Sequence, residues 1–323
     1  MNLGTISHPE GPLFSLKTTF IGLFLLVVFL LLPQFLPRFY LYLLALMFAI
    51  ALLATSLNLV LGFGGMYQFH HAVFYGFGAY AFALFATKSG LPIWLAYLVA
   101  PLCSAVLGLV LGLFTVRLNQ LYFGMLQISL GSLVWAITYR WYSFTGGDDG
   151  IHGIPLPGLV SSSTGSYYFN LLVCAACLLV MYAIVNSPFG RVFQGIRDNP
   201  ERCRAVGIDV HRQQLAGQTI AAFFAGVAGT LFVTVEGSVF PDLMFWTFSL
   251  EILIMCLLGG WFIFLGPALG AVIIIGLRTF AGIYTEYWTL ILGLVLMLLI
   301  FFLPQGVLGL FLDKVGPTTS REG

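Results

Sequence analysis

Apolar runs long enough to cross a membrane follow one another along almost the whole of this 323-residue chain, and they constrain its fold more than any other feature. A helix needs about 20 mostly apolar residues to span the hydrocarbon core of a bilayer. Only 8% of the residues are charged, against about 25% in a typical soluble domain, so the chain could not cover a soluble fold with polar surface. The sequence therefore predicts an all-α polytopic membrane protein.

The apolar runs predict roughly 8–10 transmembrane helices in a single transmembrane domain over residues 18–312. The candidate spans are 18–36, 40–61, 68–87, 92–116, 120–142, 167–186, 213–235, 247–261, 265–282 and 287–304. Residues 1–17 and 313–323 are expected to form cytoplasmic end segments. Placing the charged segment 187–212 in the cytoplasm puts nine Lys and Arg residues inside against four outside, in agreement with the positive-inside rule.

Two Gly-rich segments, 62–78 and 259–270, interrupt this pattern. Both are too rich in glycine for plain membrane helices, and we interpret them as broken or re-entrant segments. They begin alike, with Leu61-Gly-Phe-Gly-Gly65 and Leu258-Gly-Gly-Trp-Phe262, which indicates a possible internal repeat. Interrupted helices at corresponding positions of two halves are typical of transport pathways.

One strongly charged segment, 187–212, holds five of the 13 Lys and Arg residues. Asn199 is a suitable N-cap, with Pro200 at the first helical position and Glu201 in the first turn. Gly207 would end the helix. We predict a short helix that docks into a groove of a cytoplasmic partner. The alternative is a solvated loop beside anionic lipid head groups.

The residues of this segment resemble the coupling loop of LivM-type permease subunits of branched-chain amino-acid ABC transporters. The likeness covers roughly residues 40–310, in order. It is carried by Gly190-Arg191, Ile196-Arg197-Asp198-Asn199, Ala205 and Gly207-Ile208, and also by Leu57-Asn58-Leu59-Val60-Leu61-Gly62, Gly76-Phe77-Gly78-Ala79-Tyr80, Leu121-Tyr122-Phe123, Thr145-Gly146-Gly147, Gly150-Ile151, Gly153-Ile154-Pro155, Glu251-Ile252-Leu253, Leu258-Gly259-Gly260 and Gly266-Pro267.

The resemblance implies a non-catalytic permease subunit of an ATP-driven importer in the bacterial inner membrane. Its partners would be cytoplasmic ATPase subunits, a second permease subunit that is a paralogue, and a periplasmic solute-binding protein. The expected ATPase-coupling residues are Gly190, Arg191, Arg197, Asp198, Asn199, Glu201, Ala205 and Gly207. No G-x-x-x-x-G-K-[ST] loop is present, so ATP would be bound by another chain, and no cofactor or metal is expected on this one. A basic face suited to nucleic acid is also absent outside the charged segment.

The chain departs from the family pattern at both Gly-rich segments. After the first glycines the family commonly has Ser-Leu-Gly-His-Ala, whereas this chain has Gln68-Phe69-His70-His71-Ala72. In the second segment it commonly has Gly-Leu-Gly-Ser-Leu-Leu-Gly, and bulky residues stand here between Gly260 and Gly266. The solute is expected to be a small polar one, a branched-chain or related amino acid, but its identity does not follow from the sequence.

The candidate pathway residues are polar or glycine positions in apolar surroundings: Asn58, Gly64, Gly65, Gln68, His70, His71, Gln127, Glu251, Gly259 and Gly260. Adjacent residues on a helix diverge by about 100°, so His70 and His71 could not both face one site on a regular helix. One could line the pathway, or a histidine could form a hydrogen bond across a helix interface. Glu251 is either a functional intramembrane carboxylate or a first-turn residue with Ser249 near the cap.

Two other functions stay open at this stage. An ion-coupled secondary transporter would explain the broken helices but not the arginine-rich helix. An intramembrane enzyme could use His70 or His71 with Glu251, although the topology puts the histidines near the inner face and Glu251 near the outer one. The outer loop 144–166 contains Asp148 and Asp149 without the spacing of a calcium-binding EF-hand, and we expect it to contact a binding protein.

Overall fold

The computed structural model of the chain describes residues 27–90, 92–118 and 120–284, with the isolated positions 290, 293–294, 297 and 306–308. The longer helices, with two short ones between α5 and α8, are α1 Arg38–Leu61, α2 His71–Lys88, α3 Ile93–Thr115, α4 Gln120–Arg140, α5 Ser163–Asn186, α6 Pro188–Asp198, α7 Pro200–Ala205, α8 Val210–Glu236, α9 Trp246–Gly259 and α10 Gly266–Tyr284. The all-α polytopic prediction is confirmed. Most of the candidate span 18–36, most of the span 287–304 and both end segments lie outside the described residues.

Four of the described helices, α1, α3, α5 and α8, are long and apolar enough to cross a membrane. The apolar helix α9 is shorter. Its 14 residues extend about 21 Å at 1.5 Å per residue, less than the roughly 30 Å of a hydrocarbon core. It therefore starts or ends within the bilayer.

Small residues bring the helix backbones around α8 close together. A Cβ atom added to Gly229 would lie 2.1 Å from the carbonyl oxygen of Tyr75, so α2 and α8 meet backbone to backbone. Ser104 of α3 donates hydrogen bonds to the carbonyl oxygens of Phe74 and Ala222, at 2.7 and 3.0 Å. The α1 helix lies in the interior, and its residues from Ala49 to Leu61 are all buried.

The segment ahead of α9 reaches into the helix bundle, away from the loop 144–166. A 3-10 turn at Pro241–Met244 packs on Gly76 of α2, where an added Cβ atom would lie 2.4 Å from Cγ of Met244. Lys88, at the other end of α2, donates to the carbonyl oxygen of Phe144 in the outer loop at 2.7 Å. Gly76 precedes Lys88 by twelve residues, about 18 Å along the helix. The start of α9 is thus drawn well below the outer loop.

Candidate functional site

The first Gly-rich segment is re-entrant. After α1 ends at Leu61, the chain turns through Gly65, which has φ +67°, and then runs back along the helix that it has just left. At its far end, Nε2 of His71 lies 2.8 Å from Oγ of Ser56. Ser56 is five residues before the end of α1, so α2 begins beside the body of α1 and not beyond its end.

The second Gly-rich segment closes differently, as a tight hairpin between α9 and α10. A Cβ atom on Gly259 would lie 1.8 Å from the carbonyl oxygen of Gly266. One on Gly270 would lie 2.0 Å from the carbonyl oxygen of Met255. Gly260, at φ +105°, makes the turn. The two segments share the order helix, glycine turn, helix, but only the second holds its two helices side by side.

The two Gly-rich segments touch each other. Asn58 Nδ2 donates to the carbonyl oxygen of Ile263 at 3.4 Å, although the two residues are 205 positions apart. A Cβ atom on Gly62 would lie 2.0 Å from the carbonyl oxygen of Trp261. The Tyr67 and Trp261 rings have centroids 6.2 Å apart. The structure thus brings most of the candidate pathway residues into one region.

A buried polar cluster surrounds the start of α2. It consists of Ser56, Gln68, His70, His71, Gln127 and Ser249, each no more than 1% exposed. His71 bonds across the helix interface to Ser56, and its Nδ1 lies 2.8 Å from the Gln68 side chain. The interhelical hydrogen bond predicted for a histidine is therefore confirmed at His71.

His70 differs from its neighbour. Neither of its ring nitrogens has a hydrogen-bond partner among the described residues, and its ring packs edge-on against Phe74, with centroids 4.9 Å apart. Gln127 of α4 accepts from the backbone N–H of Phe69 at 3.0 Å through Oε1, while its Nε2 is also unpartnered within the described part of the chain. Such groups are costly in a membrane interior, where no bulk water can pair with them.

Glu251 is not a first-turn residue, so that alternative is wrong, and its role as a functional intramembrane carboxylate stays a prediction. The α9 helix begins at Trp246, and Ser249 instead accepts from the N–H of Ala72 at 3.0 Å, at the start of α2. The predicted separation of the histidines from Glu251 is also wrong, because Ser249, two residues before Glu251, bonds to Ala72, the residue after His71. Oε1 of Glu251 lies 4.0 Å from Nη1 of Arg278.

The charged segment contains two capped helices. Asn199 accepts from the N–H of Arg202 at 3.0 Å, Glu201 lies in the first turn of α7, and Gly207 ends it at φ +88°, so the predicted helix is confirmed. The preceding helix α6 was not predicted. Its signal is of the same kind, because Ser187 caps it by accepting from the N–H of Gly190, with Pro188 as its first residue.

Helix α6 is wedged against both Gly-rich segments. Phe193 is 1% exposed, and Cβ atoms on Gly64 and Gly217 would lie 2.3 and 2.4 Å from its ring. Arg197 donates from Nη1 to the carbonyl oxygen of Gly62 at 2.8 Å. Its guanidinium also lies over the Phe262 ring, 5.5 Å from the centroid. One arginine thus holds the first segment with a hydrogen bond and the second with a cation–π contact.

Helix α7 faces outward. Glu201, Arg202, Arg204 and Ala205 are exposed, and Val206, which follows the helix, is 80% exposed. Arg204 and Glu201 form an ion pair at 2.8 Å. Arg191 and Asp198 of α6 are exposed as well, whereas Gly190 is buried where α6 turns off α5. The segment therefore has an inner layer on the glycine turns and an outer layer that is open to a partner.

The loop 144–166 is joined to the rest of the fold by backbone pairing. The backbone of Ile151 pairs with that of Val239 at 2.9 Å in both directions, which joins the loop to the segment that dips toward Gly76. Tyr142 donates to Asp148, and this bond raises the pKa of the Tyr142 phenol. In the described part of the chain, no three His, Cys, Asp or Glu side chains cluster as metal ligands would.

Comparison with known families matches residues 39–301 to the branched-chain amino acid transport system permease component family. The chain belongs to this family. It is 30% identical over 284 residues to the high-affinity branched-chain amino acid transport system permease protein LivM of Escherichia coli strain K12, covering 80% of this chain and 67% of the relative. The LivM protein of Salmonella typhimurium is 31% identical over the same shares. The probable LivM permease of Methanocaldococcus jannaschii is 25% identical over 238 residues, 66% of this chain and 67% of that one.

No solved structure matches the permease significantly. Family membership and the apolar helices together establish a multi-pass membrane protein of a transport family. Permease subunits of this family are in general non-catalytic, in agreement with the transport interpretation.

Proposed function

We propose that this permease is the non-catalytic, membrane-spanning subunit of an ATP-driven importer for branched-chain or related amino acids in the bacterial inner membrane. The function of its relatives supports the solute class, and membership of their family supports the type of subunit. ATP would be bound and hydrolysed by separate subunits, since the sequence lacks a phosphate loop of its own. A paralogous permease and a periplasmic binding protein would complete the assembly.

The observation that carries this proposal is the two-layer structure of the charged segment. The outer layer, α7 with Val206, offers exposed arginines beside an exposed apolar side chain to a cytoplasmic partner. The inner layer, α6, contacts both Gly-rich segments through Phe193 and Arg197. A movement imposed on α7 would therefore reach both segments through rigid helix and direct contacts.

The solute pathway is proposed to run past the two Gly-rich segments. The candidate residues Asn58, Gly64, Gly65, Gln68, His70, His71, Gln127, Gly259 and Gly260 lie on them or against them. The outer loop, held at Ile151, is proposed to contact the binding protein on the opposite side. With α6 and α7 in the cytoplasm, both chain termini would be cytoplasmic as well.

The test is co-purification of ATPase subunits with the tagged permease in mild detergent. Arg204→Glu reverses a charge in the outer layer, and we expect it to lower the recovered ATPase at least tenfold. The matched control is Arg140→Glu, which reverses an exposed charge at the outer end of α4. Wild-type permease that is intact but recovers no ATPase would contradict the proposal. Equal recovery with Arg204→Glu would remove α7 from the docking surface.

A further inference from the structure

The N-terminal end of α2 combines three features of an anion site in one buried place. The helix is 18 residues long, so its first N–H groups carry the positive end of a substantial dipole. Its N-cap, His70, makes no side-chain capping bond. Ser249 of α9 accepts from the N–H of Ala72. Ser249 lies 10 residues before the turn at Gly259, which is about 15 Å along α9. The helix start is therefore deep in the bilayer and not at a hydrated surface.

Unpartnered polar side chains point to a ligand at this helix end. His70 is 1% exposed, and both of its ring nitrogens lack partners among the described residues. The Gln127 side chain lies against that ring, close enough to exchange a hydrogen bond with it after a small adjustment of either side chain. Because Oε1 of Gln127 accepts from the N–H of Phe69, its unpartnered atom is the Nε2 donor, and the amide orientation is fixed by the backbone.

The hydrogen bonds around His71 leave one more buried side-chain atom without a partner. Nδ1 of His71 donates to Oε1 of Gln68 at 2.8 Å, and Nε2 of His71 then accepts from the hydroxyl of Ser56 at 2.8 Å. Nε2 of Gln68 is therefore left without a partner among the described residues. The cluster offers donors at Gln68, Gln127 and the helix end.

Helix α4 covers this cluster with a face of small residues. A Cβ atom on Gly131 would lie 3.1 Å from Cβ of His70, and one on Gly124 would lie 3.2 Å from the Phe69 ring. Gly124, Gln127 and Gly131 are spaced i, i+3 and i+7, so they share one side of the helix. The opposite side of α4 is exposed at Met125 and Leu133. A shift of α4 would uncover the cluster, and it would also move Phe123, the residue that α4 contributes to the core around α1.

We infer that the N-terminal end of α2, with Gln127 and His70, binds the carboxylate of the transported amino acid when α4 moves away. This inference rests on the proposed function and adds a subsite to it. A carboxylate would pair with the Gln127 amide and the helix dipole, which no apolar solute could do.

Gln127→Glu tests the site, because it keeps the acceptor for the Phe69 N–H and replaces the donor with an oxygen that repels a carboxylate. The matched control is Gln218→Glu. Gln218 is equally buried, but it lies in the α3–α8 interface, with its Nε2 3.4 Å from the carbonyl oxygen of Gly108. Both variants are made in the complete importer in nanodiscs. Gln127→Met serves as a neutral second variant if the glutamate prevents folding.

The readout is ligand-observed saturation-transfer NMR with L-leucine as the probe, together with leucine uptake and ATPase activity in proteoliposomes. We expect 4-methylpentanoate, which keeps the carboxylate, to displace leucine. Leucinamide, which lacks the carboxylate, should leave the saturation-transfer signal of leucine within about twofold of its value without competitor. Gln127→Glu should reduce the leucine signal and uptake at least tenfold. Gln218→Glu should retain both the signal and uptake.

Displacement of leucine by leucinamide that is as strong as displacement by 4-methylpentanoate would overturn the carboxylate site. So would normal uptake in a folded Gln127→Glu or Gln127→Met importer. A loss of signal in Gln218→Glu equal to that in Gln127→Glu would also overturn it, because the effect would then be general to buried charge. Failure of the proposed function has a different signature. In that case the wild-type complex would show no ATPase stimulation by the loaded binding protein.

Discussion

Replacing Arg197 should uncouple ATP hydrolysis from transport without preventing ATPase docking. The side chain is only 22% exposed, and its main contacts point inward, to the carbonyl oxygen of Gly62 and the ring of Phe262. The exposed surface open to a partner belongs to α7 instead. Arg197→Met keeps most of the aliphatic stem while removing the guanidinium, so it isolates these contacts.

The contacts give the magnitude. A charged hydrogen bond to a backbone carbonyl contributes about 1.5–3 kcal/mol, and a half-exposed cation–π contact about 0.5–1 kcal/mol. The ion pair with Asp198 is solvent-exposed and adds roughly 0–1 kcal/mol. A total of about 3 kcal/mol corresponds to a change of roughly 150-fold in the ratio of attached to detached α6. Arg197→Lys retains the charge but not the planar fork, and it should fall between Met and wild type.

The assay compares co-purified ATPase, leucine uptake and ATPase stimulation by the loaded binding protein in one preparation. For Arg197→Met we expect wild-type co-purification, uptake at least tenfold lower, and loss of the stimulation. Wild-type uptake in Arg197→Met would refute the anchoring role. Loss of the ATPase on purification, as expected for Arg204→Glu, would instead move Arg197 to the docking surface.

Three further predictions follow from individual contacts. Gly64→Ala, whose Cβ atom would lie 2.3 Å from the Phe193 ring, should abolish uptake, and adding Phe193→Leu should restore part of it in the same uptake assay. Ser249→Ala removes the acceptor for the Ala72 N–H and should cost about 1 kcal/mol, seen as a lower thermal midpoint, whereas Ser129→Ala at an exposed site should not change it. Glu251→Gln and Arg278→Gln should each lower the stability of the permease in thermal unfolding, and the double variant should lose about 0.5–1 kcal/mol less than the sum of the two single losses. Strictly additive losses would show that the ion pair contributes nothing.

Local patterns in the sequence predicted much of the helical layout. The apolar runs located α1, α3, α5 and α8, because burial in lipid requires an uninterrupted apolar segment whatever its neighbours are. Asn199, Pro200 and Gly207 located α7, because a helix cap forms between residues three or four positions apart. The same type of signal, a capping residue followed by proline, is present at Ser187 and Pro188, where α6 begins. The prediction used this signal only for α7.

Depth within the membrane could not be predicted in this way. Glu251 follows an apolar helix start that looks like an ordinary membrane entry, but the turn at Pro241–Met244 carries that start down to Gly76. Gly237, Pro241 and Asp242 ahead of a 14-residue helix were the available signal. Packing on a glycine of another helix, and not local preference, fixes how far such a segment enters.

The sequence by itself determined that this chain is a helical permease with two glycine turns and a capped charged segment, since each of these features depends on residues close together along the chain. Only the tertiary structure decided what those features touch. Arg197 finds its acceptor at Gly62, 135 positions away, and Ser249 accepts from the N–H of Ala72, 177 positions before it. Polar groups inside a membrane have to be paired, but any element that comes within reach can supply the partner, so the choice is made by the packed fold.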